Sequence, residues 1–162
     1  MAFIIEAVVF CLIFTLSILI SFKKNPYAGI DDFPPSVGKY VREHNFNIPE
    51  IKESRKARII RKSVGALLIV IILGLMVKFI NKADTFFDGF IISYSLWTIG
   101  NLYDLFIIDW ILCTFVKRLR IPGTEEMGDL YKGFWFHTKK SLIGVLLGLP
   151  LCALVGLVVM LL

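Results

Sequence analysis

Apolar residues fall in four long runs along this chain, at 2–22, 63–80, 89–116 and 141–162, and polar residues gather between them. The runs are apolar around the whole helix instead of along one stripe, as membrane-spanning helices are. The first has 21 residues, enough to cross a bilayer core that needs about 20. The pattern predicts an all-α fold. It is an integral membrane bundle of four transmembrane helices, forming one domain over 1–162, with two basic cytoplasmic loops at 23–62 and 117–140. The eight residues 81–88 leave room only for a tight outer turn, so the second and third spans are expected to be antiparallel neighbours.

The connections carry their own periodicities. After the turn-rich Asn25-Pro-Tyr-Ala-Gly and Asp31-Asp-Phe-Pro-Pro, Ser36 is placed to cap a short helix. Val37, Tyr40, Val41 and His44 share one face of it, and that face is expected to lie on the inner leaflet. Pro49 suits the first turn of another helix that carries Lys52, Arg55, Lys56, Arg58, Arg61 and Lys62 into the second span. Past the third span, Thr124 is expected to cap a helix with Glu125 and Glu126 in its first turn. Phe134-Trp-Phe-His-Thr-Lys-Lys puts aromatics and cations where headgroups meet acyl chains.

Composition agrees with a bilayer as solvent: 57% of residues are hydrophobic and mean hydropathy is +0.76, against roughly 45–50% apolar in soluble domains. The net charge of +5 matters less than its placement. Of 18 Lys and Arg, ten lie in 23–62 and six in 117–140, leaving Lys78 and Lys82 for the other side. By the positive-inside rule both termini are outside and the loops face the cytoplasm, as in a multi-pass protein of the plasma membrane. The loops would meet anionic lipid of the inner leaflet. No nucleic-acid-binding motif accompanies the charge. Lys23 and Lys24 follow the first run, with no small-residue cleavage site after it, so an uncleaved anchor is expected. Glu6, near its outer end, is expected to snorkel to the headgroups. Cys11, Cys113 and Cys152 all lie in apolar runs without a CxxC spacing and read as packing residues.

Candidate chemistry centres on the third run. Asn101, Asp104 and Asp109 stand where hydrocarbon is expected, and ionisable groups there point to function. The run's 28 residues would extend about 42 Å, beyond a core of about 30 Å, and Gly100 is the natural place for a break. At about 100° per residue, Asn101 and Asp104 share a face, whereas Asp109 stands about 140° from Asp104. Asp109 is therefore expected at the inner interface, paired with Lys or Arg of the following loop. Asp104 lies deeper. It is either hydrogen-bonded to a hydroxyl of a neighbouring helix or a proton- or ligand-binding acid. Glu125, Glu126 and His137 form a second constellation near Asp109, but their spacing is not that of a metal site. No cofactor is indicated.

Gly144, Gly148, Cys152 and Gly156 recur every four residues in the fourth run, a stripe that lets another backbone approach closely. Its partner is either another span of this chain or, in an assembly, a second copy or a membrane partner protein. Pro150 is expected to kink this helix. The order Asn-Leu-Tyr-Asp, Asp-Trp, then Ile-Pro-Gly-Thr-Glu-Glu-Met, Tyr and Phe-His, over about residues 101–148, resembles a pattern in small uncharacterised bacterial multi-pass membrane proteins. That resemblance implies only that the third span and the loop after it work together. Three functions follow as expectations: proton or small-solute binding and transport through the buried acid, an accessory subunit packing through the small-residue stripe, or a lipid-facing enzyme using Asp109, Glu125, Glu126 and His137.

Overall fold

A computed structural model describes residues 2–27, 30–44 and 55–162. Every regular element among them is helical: α1 (Ala2–Lys24), α2 (Pro35–Glu43), α3 (Arg55–Phe79), α4 (Phe86–Tyr103), a π-helical segment (Asp104–Leu112), α5 (Cys113–Phe115) and α6 (Phe134–Leu161). Single 3₁₀ turns form at Ile30–Asp32, Lys117–Leu119 and Gly128–Tyr131. Three helical runs are long and apolar enough to cross a membrane, Phe3–Lys24, Phe86–Phe115 and Gly128–Leu161; a further apolar helix, Ser63–Phe79, is shorter. The turn expected at Pro49 and the charge of Lys52 lie outside the described residues, as do the side chains of Arg55, Lys56, Arg58, Arg61 and Lys62. The described chain forms two compact units.

The first unit comprises residues 1–10, 52–101 and 143–162. Here α4 and α6 pack through the small-residue stripe. Going up one helix and down the other, Asn101 lies on Gly144, Trp97 on Gly148, Ser93 beside Cys152, and Gly89 and Phe86 on Gly156. Each step is one turn of both helices, so the pair is antiparallel and in register. The partner that the stripe left open is thus α4 of the same chain. The Trp97 indole N–H donates to the Gly144 carbonyl (2.9 Å), a bond that glycine's bare backbone makes reachable. On α3, Val70, Leu73 and Val77 join Ala83, Val155 and Val159 in a buried cluster. The α4 N-terminus is closed by Thr85, whose hydroxyl accepts from the Asp88 N–H (3.1 Å) and donates to the Asp88 carboxylate (2.7 Å).

Two expectations in this unit are corrected. Glu6 does not reach outward alone: its carboxylate accepts both bonds of the Asn81 side-chain amide group (3.0 and 3.1 Å). A half-buried acid is better satisfied by a fixed donor than by headgroup water. Gly100 is not a break. The helix passes through it in α conformation, and its missing Cβ admits the Phe10 ring. Helix α6 carries Pro150 within its length.

The second unit comprises residues 11–51 and 102–142. Its core joins Phe33, Val37, Val41, Ile108, Cys113, Ile121 and Tyr131. The apolar face of helix α2 is therefore packed in protein instead of on a leaflet. Val37 and Val41 are fully buried, because Ile121 and Tyr131 of the second loop offer them an apolar surface. Ser36 is not its cap: Pro35 occupies the first turn after Pro34, and the Ser36 hydroxyl donates to the Leu130 carbonyl (2.9 Å). Nor does Thr124 start an α-helix. Gly123 turns the chain at φ 88°, and the buried Thr124 hydroxyl donates to the Ile121 carbonyl (2.7 Å) and lies 2.6 Å from the Tyr131 hydroxyl. Tyr131 also accepts from the Ile121 N–H (2.9 Å). Arg120, nearly buried, donates to the carbonyls of Thr114 and Glu125, closing the C-terminal end of the third apolar run.

Candidate functional site

The backbone of the third apolar run changes type where its acids begin. From Asp104 to Leu112 the chain is π-helical, with hydrogen bonds reaching five residues instead of four. The Cys113 N–H bonds to the Ile108 carbonyl, and the Thr114 hydroxyl donates to the Asp109 carbonyl (3.3 Å), both five residues back. Burial follows the same interval: Ile108 and Cys113 are buried, whereas Phe106 and Ile111 are exposed.

This geometry overturns the angular separation of the two acids. In a π-helix a residue five positions on takes the stacked place that i+4 holds in an α-helix, so Asp104 and Asp109 lie on one face. Asp109 is not paired with Lys or Arg of the following loop. Its Oδ2 lies 2.9 Å from Nδ1 of His137 on α6. The histidine is 1% exposed, and the ring is not aligned for a linear hydrogen bond to the carboxylate; its Nε2 is buried without a partner among the described residues. Asp104 is half-buried. The charges within its electrostatic reach are Asp109, Asp32, His137 and Lys140. Lys140, one turn beyond His137, donates to Asp32 (2.6 Å). The cluster therefore draws three acids, a histidine and a lysine from three parts of the second unit.

Other candidates are held elsewhere. Thr15 on α1 lies 2.8 Å from the Tyr103 hydroxyl and donates to the Cys11 carbonyl. Asn101 belongs to the first unit, where its amide donates to the Trp97 carbonyl (2.9 Å) and its oxygen meets Gly144. Glu126 pairs with Lys117 (2.6 Å) at the surface. Glu125 accepts from the Gly123 N–H (2.8 Å); bonds from its own and the Gly123 backbone hold its carboxyl below the usual carboxylate range. These two glutamates are spent on the loop and do not join His137. Among the described residues no three His, Cys, Asp or Glu side chains are grouped to hold a metal ion.

The pairing of Asp109 with His137 was legible only as proximity along the inner loop, and the contribution of Asp32 with Lys140 was not legible. Residues 108 positions apart carry no shared sequence signal. An apolar cavity lies beside the π segment, lined by Thr15, Ile18, Phe22, Phe33, Ile108 and Leu112 among others. Comparison of the chain with family models, with curated proteins and with solved structures finds no match.

Proposed function

We propose that this chain is a membrane protein that binds and moves protons, or a small solute with them, through Asp104, Asp109 and His137. One observation carries the reading: a fully buried histidine stands 2.9 Å from a carboxylate on a membrane-spanning helix. Such a pair is costly in a low-dielectric setting, and ionisable groups there point to function. Histidine is the side chain whose charge changes near neutral pH, and a second acid on the same helical face lets the cluster hold more than one proton state. The architecture that goes with this reading has four spans, both termini outside and the basic loops against anionic lipid of the plasma membrane. The accessory-subunit alternative has less to stand on, because the small-residue stripe is filled by α4. A second copy or partner protein would need another face.

The test is proton flux into proteoliposomes loaded with a pH-sensitive dye under an imposed membrane potential. Asp104→Asn combined with Asp109→Asn is expected to reduce flux at least tenfold. Undiminished flux in that folded double variant, or none in the parent protein, overturns the proposal.

A further inference from the structure

A π-helical stretch of nine residues is rare, because π-helices occur mostly as single-turn bulges, often at functional sites. The same residues in α conformation would keep their hydrogen bonds but turn Asp109 about 140° away from Asp104. Asp109 would then leave His137. The 2.9 Å pair and the π register are thus two descriptions of one state.

We propose that the acid–histidine pair sets the helical register of residues 104–112: π while the pair is intact, α once an added proton disrupts it. The inference rests on the proton-binding reading above and assigns that site its conformational consequence. With one proton between them, Asp109 and His137 carry opposite charges. A second proton, taken from water, leaves a neutral acid facing an imidazolium. That buried cation is no longer compensated, and the contact holding the π register is lost. The groups facing the pair fit this role. Asp104 shares the helical face and Cys113 lies on the next turn. Lys140 follows His137 on α6 and is drawn to Asp32 of the 3₁₀ turn. Tyr131 borders Ile108 and Cys113 in the core, and α1 contributes Thr15, already engaged with Tyr103. Among the described residues only His137 is both fully buried and at ion-pair distance from Asp109.

Register can be read by spin labels placed singly at Phe106, Ile111 and Ile91 in lipid nanodiscs, with accessibility to oxygen measured from about pH 7 to about pH 3, a range that takes carboxyl groups as well as histidine through their change of charge. Phe106 and Ile111 are both exposed in the π register, and in an α register they cannot share a face. The label at Ile111 is expected to lose oxygen accessibility several-fold on acidification. Phe106 should stay exposed, and Ile91, upstream on α4, should not change and so reports an intact fold. Asp109→Asn and His137→Gln should each abolish the pH dependence. If Ile111 keeps one accessibility across the range while proton flux persists, the register switch is wrong and the proton-binding reading survives. If accessibility changes without any flux, the switch stands and transport falls.

Discussion

Gly148 meets the face of Trp97, and a Cβ built on it would overlap the indole ring. Gly144 similarly leaves room for the Asn101 oxygen while its carbonyl accepts the Trp97 N–H. These contacts argue for strong side-chain intolerance at a position whose composition alone looks permissive. Gly148→Ala is expected to destabilise the protein by about 1–3 kcal/mol through overpacking. Gly65→Ala on α3 has nothing within 4 Å and should be neutral or stabilising, by up to about 1 kcal/mol of helix propensity. Thermal unfolding of both variants in one detergent checks the contrast; equal midpoints would refute the close packing of α4 on α6. At this scale the stripe of small residues was visible in the sequence. Its partner was not, because four-residue spacing specifies a smooth face without specifying what lies on it.

Among the elements, the loop after the third span is held by polar bonds instead of by a helix. Tyr131 collects the Ile121 N–H and the Thr124 hydroxyl, with Arg120 stacked 5.7 Å from its ring. Tyr131→Phe keeps the ring packed on Phe33 but strands the buried Ile121 N–H, while the Thr124 hydroxyl keeps its bond to the Ile121 carbonyl. The expected cost is about 1–3 kcal/mol, and amide exchange at Ile121 should accelerate with it. Unaltered exchange there would mean that the hydroxyl is dispensable. The sequence read of this loop failed where local signals compete. Thr124-Glu125-Glu126 has the composition of a helix start, yet Pro122-Gly123 forces a turn and tertiary bonds claim the threonine. The π segment was missed for a related reason. Periodicity arguments assume 100° per residue, and nothing in Asp104–Leu112 announces another pitch.

For the whole molecule, charge placement and apolar length carry the proposed topology. A cysteine replacing Lys82, between α3 and α4, should react with a membrane-impermeant thiol reagent applied outside intact cells, in a background lacking the native cysteines. One replacing Arg118 should react only after permeabilisation. The opposite pattern would invert the orientation. Helical class, the apolar runs and the polarity of their connections were determined by the sequence itself, because each depends on local composition and on the bilayer's demand for satisfied backbone bonds. The meeting of Gly144 with Asn101, of α2 with Tyr131, and of Asp109 with His137 was decided by tertiary structure. Such contacts depend on which faces pack together and on a helical pitch set by those contacts. The two acids that the α-helical wheel separated are joined by a backbone that only the folded chain holds in π form.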